Sequence, residues 1–253
     1  MLEVKNVEKN FGGIKAVNDC SLKVNEGSIT GLIGPNGAGK TTLFNLITGL
    51  YKIDSGEILF DGENIEGLSS DKIFYKKIFR TFQITREFEQ MTVLENLMII
   101  PPFQSGEKVW NTWLRPGIVK KQEKILKEKA LEVLGFVELS RLKDDYAGTL
   151  SGGQKKLLEL AKSMMAEPKM VLLDEPGAGV NPTLMKKLVN NIRNLREEKN
   201  ISFFLIEHDI DLVMNLCDPV IVMSEGKKLA EGCPEDIRRD KRVLEAYLGG
   251  QYR

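Results

Sequence analysis

Four short stretches carry residue types that could do phosphate chemistry. In GPNGAGKTT, Gly34, Gly39, Lys40 and Thr41 follow the spacing GxxxxGK[ST], with Pro35, Asn36, Gly37 and Ala38 inside it and Thr42 behind it. Glycines let backbone N–H groups close on phosphate oxygens, a lysine at this place reaches the β and γ phosphates, and the hydroxyl can hold Mg²⁺. In KMVLLDEPGAGVNP an apolar run ends in Asp174 and Glu175. Asp174 suits Mg²⁺ ligation, directly or through water, and Glu175 suits polarising an attacking water. In LSGGQKKLLELAKSMM, Ser151 reads as a helix N-cap, and Gly152 and Gly153 leave the backbone open to close approach. LIEHDIDLV holds His208, the only histidine of the chain. A neutral imidazole can accept at one nitrogen and donate from the other, so it can link phosphate, water and a neighbouring loop.

Singly, most of these signals are weak. A glycine-rich turn matches the first by accident in roughly one chain in a hundred of this length, and an acidic pair after a strand is commonplace. The elements around them raise their value. Ser28 to Ile33, Lys169 to Leu173, Ile201 to Ile206 and Pro219 to Met223 are continuous apolar runs, as in a buried and largely parallel sheet. Leu184, Leu188, Ile192 and Leu195 recur at helical spacing, as do Leu157, Ala161 and Met164. The glycine motif therefore lies between a strand and a helix, and the acidic pair at the carboxyl end of a strand, where open α/β sheets bind ligands. Near the start, SLKVNEGS and GEILFDGENI alternate and carry glycine turns, which suggests an antiparallel edge sheet.

The fold class implied is α/β: a P-loop NTPase core with a mostly parallel sheet, an N-terminal antiparallel β subdomain and an inserted helical subdomain. The expected division is one domain over 1–253, with the core in 1–83 and 166–253 and the helices in 84–165. The chain has 253 residues and is 42% hydrophobic, enough for a full core. Its 36 basic and 36 acidic residues balance, so no global field draws it to nucleic acid or to an anionic membrane, local patches aside, and no nucleic-acid partner is expected. MLEVKNVEKN has no signal-peptide pattern, and no apolar run approaches the roughly 18 residues of a membrane span, which points to a cytosolic chain. Cys20, Cys217 and Cys233 lack metal-site spacing and are expected as small buried hydrophobes.

LSGGQ just upstream of DE resembles the signature motif of the ATP-binding cassette (ABC) ATPases, and the resemblance covers nearly the whole chain. It implies ATP hydrolysis with Mg²⁺ and a head-to-tail dimer, with itself or a paralogous subunit. Leu150, Ser151, Gly152, Gly153 and Gln154 would then act on the partner's ATP. By the same resemblance Gln83 of RTFQ is the glutamine that contacts Mg²⁺ and water, Phe11 stacks on adenine, and His208 contacts the γ-phosphate. GAGVNP matches the D-loop, with Asn181 where many members carry Asp.

RTFQITREFEQMTVLENLM, EHDIDLVM and EAYLGG together resemble the Liv-type ATPase subunits of branched-chain amino-acid importers, LivG-like members above all. This implies transmembrane permease partners, a separate solute-binding protein, and a place on the inner face of the cell membrane. Urea-uptake and lipopolysaccharide-export cassettes share parts of the pattern, and nucleic-acid-handling ABC ATPases form a more distant alternative. In importers of this kind the surface around Arg86, Phe88, Met91, Val93 and Leu94 receives a permease helix, with about half of these residues expected in the subdomain's own core. The stretch PPFQSGEKVWNTWLRPGIVKKQEK fills the place of a segment characteristic of LivG-like members and holds both tryptophans, Trp110 and Trp113. They could staple a surface loop or meet a partner.

Overall fold

The computed structural model describes residues 1–81 and 87–249. They cluster into two units: Met1–Arg80, Lys169–Gly177 and Ile192–Arg253 form the first, Thr81–Pro168 and Ala178–Asn191 the second.

The first unit holds two sheets. β1 (Leu2–Phe11), β2 (Ile14–Val24), β4 (Ser55–Phe60) and β5 (Glu63–Asn64) form an antiparallel sheet in the order β2-β1-β4-β5. Six strands form the other, in the order β10-β9-β3-β8-β7-β6. β3 (Ile29–Ile33), β6 (Ile78–Arg80), β7 (Met170–Asp174), β8 (Ser202–Ile206) and β9 (Val220–Ser224) run parallel, and β10 (Lys227–Gly232) pairs antiparallel with β9 at one edge. The four apolar runs expected as strands are thus β3, β7, β8 and β9. Every residue of β3, β7 and β8 is buried, the pattern of a sheet covered on both faces.

Helices α1 (Lys40–Ile47), α2 (Ser70–Tyr75), α8 (Ile210–Leu216), α9 (Pro234–Arg239) and α10 (Lys241–Gly249), with the end of α7 (Pro182–Lys199) from Ile192 on, complete this unit. Its core joins residues of both sheets and α1, including Leu2, Ile58, Phe44, Leu172, Phe204 and Ile221. The rings of Phe44 and Phe204 lie 5.0 Å apart. Cys20 and Cys217 are buried as expected, and Cys233 is half-buried. Burial pushes the Cys20 thiol up to about 11.

The second unit is helical: α3 (Val93–Met98), α4 (Val109–Leu114), α5 (Pro116–Phe136), α6 (Gly152–Ala166) and the first part of α7 (Pro182–Lys199). α3, α5 and α6 pack on one another, and Leu97, Ala130, Leu134, Leu158 and Ala161 are fully buried. α3 starts in a capping box: the Glu95 N–H donates to Thr92 Oγ1 at 3.2 Å and the Thr92 N–H to Glu95 Oε2 at 2.8 Å. The stretch Ala178–Asn191 belongs with these helices through packing of Leu184 on Gly153 and a Lys187–Glu138 ion pair of 2.5 Å.

Candidate nucleotide site

The glycine motif joins β3 to α1. Gly34, Gly37 and Gly39 have φ of 150°, 81° and 97°, a backbone that L side chains rarely adopt. At Gly39 a Cβ would also lie 2.3 Å from the Ala16 carbonyl oxygen, so only glycine fits. Gly39 is the N-cap of α1 and offers no side chain to its first N–H groups. The helix start therefore keeps its donors and its positive dipole end for an anion.

Lys40 is 5% exposed, and its Nζ donates to the carbonyls of Gly34 at 2.7 Å and Pro35 at 3.0 Å. Burial pulls this ammonium below the usual lysine range, against the opposing pull of Glu175 and Asp174. Asn36, Gly37, Ala38, Gly39, Lys40, Thr41 and Thr42 line a cavity of about 390 Å³ together with Ile14, Lys15, Ala16, Glu175 and His208. Backbone donors, the ammonium groups of Lys15 and Lys40 and two hydroxyls beside a carboxylate suit a phosphorylated ligand accompanied by a divalent cation. Among the described residues no group of three or more His, Cys, Asp or Glu could hold a metal by itself.

The carboxyl ends of β7 and β8 bring the acidic pair and the histidine together. Glu175 has φ of 50°, and its N–H donates to the Ile206 carbonyl at 2.9 Å, which ties the loop after β7 to β8. Its Oε1 lies 2.7 Å from His208 Nε2. Asp174 is buried and pairs with Arg80 Nη2 at 2.9 Å, while Arg80 Nη1 donates to Asn45 Oδ1 at 2.6 Å and Thr48 Oγ1 at 3.1 Å. Arg80 thus links the end of β6, the end of β7 and the last turn of α1. Glu207 is buried too, and its two oxygens accept from the Gly177 N–H at 2.6 Å and the His208 N–H at 3.1 Å. Burial raises its carboxyl above the usual range. Neither Arg80 nor Glu207 stands out from the sequence. The one signal each carries there is a charged residue ending an apolar strand or standing next to the histidine.

Other expected residues fall elsewhere. Phe11 does not line the cavity; it is 42% exposed and meets Tyr51 edge-on at 5.2 Å. Leu150 is buried ahead of α6. Ser151 caps α6 in a capping box with Gln154, whose Oε1 accepts the Ser151 N–H at 2.8 Å. Gly152 is open: a Cβ there would meet only the Gly179 carbonyl oxygen, at 3.7 Å, whereas a Cβ at Gly153 would lie 2.5 Å from Leu184 Cδ1. Asn181 acts as a helix cap, its Oδ1 accepting the Leu184 N–H at 3.0 Å. Gln83 and Arg86 lie outside the described residues. Val93 and Leu94 are buried while Phe88 is 56% exposed, and Asn96 holds the turn between them: its Nδ2 donates to the Phe88 and Thr92 carbonyls, each at 3.0 Å.

Residues 17–178 match the family model described as ABC transporter, and residues 227–253 match that of the branched-chain amino acid ATP-binding cassette transporter. The chain belongs to the ABC transporter family. The cassette is 42% identical to a probable branched-chain amino acid transport ATP-binding protein LivG of Archaeoglobus fulgidus, over 99% of this chain and 96% of that one. It is 43% identical to the high-affinity branched-chain amino acid transport ATP-binding protein BraF of Pseudomonas aeruginosa, over 98% of each. A nucleotide-free ATP-binding cassette from an ABC transporter superposes with a TM-score of 0.84 at 39% identity, covering 97% of this chain and 98% of that one. The α/β fold is therefore that of the ABC ATPases, and the cassette is a nucleotide-binding ATPase. Among the described residues no helix is long and apolar enough to cross a membrane.

Proposed function

We propose that this cassette hydrolyses ATP to drive a branched-chain amino-acid importer, working on the inner face of the cell membrane against permease subunits that a solute-binding protein supplies. The observation that supports the reading most is the pairing of Glu175 with His208 on the wall of the cavity that the Gly34–Thr42 loop lines. Similarity along the full length to LivG and BraF proteins, and the match of residues 227–253, support the cargo class.

In this reading the backbone of Gly37–Thr41 and the ammonium of Lys40 hold the phosphates of ATP, the Lys40 contacts to the Gly34 and Pro35 carbonyls giving way to phosphate oxygens. Thr41, Asp174 and Gln83 would hold Mg²⁺, which shields the phosphate charge. Arg80 keeps the Asp174 carboxylate in place. Glu175 orients and polarises the attacking water, and His208, whose main chain Glu207 holds, positions that carboxylate and senses the γ-phosphate. Ser151, Gly152 and Gly153 close over the ATP of a second cassette in a head-to-tail dimer, and Asn181 faces that same partner.

The test is cargo uptake in cells whose only copy of the chain carries Glu175→Gln. Leucine or valine uptake should collapse while the permease remains in the membrane, and the wild-type chain should restore it. Unchanged uptake of both amino acids would reject the cargo, and unchanged ATP hydrolysis by the purified variant would reject the role of Glu175.

A further inference from the structure

The segment from Phe103 to Lys124 is built inside out. Its polar side chains turn inward to satisfy backbone groups: Gln104 Nε2 donates to the carbonyls of Met98 at 2.8 Å and Pro101 at 3.1 Å, the Ser105 N–H donates to Gln122 Oε1 at 2.7 Å, and Asn111 Nδ2 donates to the Ser105 carbonyl at 3.1 Å. Most of its large apolar side chains turn outward, Val119 being the buried exception. Trp110 and Trp113 are 71% and 77% exposed, so neither staples the segment down, and Phe103, Val109, Leu114 and Ile118 are each more than half exposed. Isolated exposed hydrophobes are ordinary, but these six are concentrated in one short segment whose backbone is anchored by its polar side chains, and such a concentration marks an interaction surface.

The charge around the patch selects the partner. Between Glu107 and Lys124 five bases (Lys108, Arg115, Lys120, Lys121, Lys124) face two acids (Glu107, Glu123), in a chain whose totals balance at 36 and 36. Lys108 and Arg115 bracket α4 on either side of the tryptophans. Indole rings are amphipathic and settle at the level of lipid headgroups, and lysine and arginine beside them are attracted to anionic lipid. We infer that α4 and the start of α5 form a lipid-contacting element that docks on an anionic membrane surface through Trp110 and Trp113. The inference rests on the reading that the cassette works beside a membrane permease, and its test is independent of transport.

Both tryptophans of the chain lie in this element, so the intrinsic tryptophan emission of the whole protein reports on it alone. The full chain is titrated with vesicles of phosphatidylglycerol and phosphatidylcholine and with vesicles of phosphatidylcholine only, at low salt. The anionic vesicles should move the emission to shorter wavelength and carry the protein down on sedimentation. Lys108→Glu combined with Arg115→Glu should weaken that binding at least tenfold, since each basic residue near the surface contributes roughly fivefold, and Trp110→Ser with Trp113→Ser should abolish sedimentation. Retained ATP binding shows that the variants fold. An emission unchanged by both vesicles, or changed equally by both, overturns the inference. So does a shift produced only by solubilised permease subunits without vesicles, which would assign the surface to a protein partner and leave the proposed transport function standing.

Discussion

The starts of α1 and α6 are both glycine-rich, and they solve the same physical problem in opposite ways. Each helix must satisfy N–H groups that have no partner within it. α6 does so in part through its own side chains, because the Gln154 N–H donates to Ser151 Oγ and the Ser151 N–H to Gln154 Oε1 in a capping box. α1 has Gly39 at the N-cap and no side-chain bond, so its donors face the cavity. The far end of α1 is instead fixed, where Arg80 holds Asn45 and Thr48 and pairs with Asp174. A helix start left open on an anchored helix is a binding site waiting for an anion. A helix start capped by its own side chains, with Gly152 left open beside the cap, is a surface that can be presented to another molecule without first being stabilised by a ligand.

The largest effect should come from releasing the anchor. Arg80→Met takes the guanidinium away from the buried Asp174 carboxylate, and breaking a buried pair on one side costs about 3–5 kcal/mol. Denaturant unfolding checks this, and a loss below about 1 kcal/mol would show that α1 is not held through Arg80. Glu207→Gln comes next. The amide presents one NH₂ where two N–H groups, those of Gly177 and His208, now find oxygens, so a loss of about 1–3 kcal/mol is expected. The sign of its pH dependence follows from burial. A carboxyl whose folded value is raised gives its full stability below the ordinary value and loses it as pH rises through the folded one. The difference between wild type and variant should therefore be larger at pH 5 than at pH 8 in paired unfolding curves. Ser151→Ala, which opens α6, should cost only about 1 kcal/mol of stability and leave nucleotide binding by a single chain unchanged. Weaker binding in that variant would erase the contrast between the two helix starts.

The open start is legible in the sequence and the anchoring is not. Spacing alone shows Gly34, Gly39, Lys40 and Thr41, because the motif is contiguous and lies between an apolar strand and a helix. The same holds for β7, β8 and β9, whose apolar runs match the observed strands to within a residue or two. Arg80 and Asp174 are 94 positions apart, and only the pairing of β6 with β7 brings them together. Glu207 reads as a polar residue after a strand until its burial is seen. Asn181 stands where the family often carries Asp, and the helix it caps gives it a local role that the resemblance does not suggest. Phe11 is placed by its order in the chain, and order does not record that Tyr51 lies against it.

Nucleotide completes the start of α1, whereas the start of α6 is capped by its own side chains. Amide hydrogen exchange on the full wild-type chain, with Mg²⁺ and ADP at about 100 times its dissociation constant, tests this most directly. With nucleotide, exchange at Gly37–Thr42 should slow at least tenfold, within the roughly hundredfold that such saturation allows, while Gly152–Lys155 stays as it was. No slowing at Gly37–Thr42, or equal slowing at both helix starts, would show that nucleotide does not complete α1 selectively.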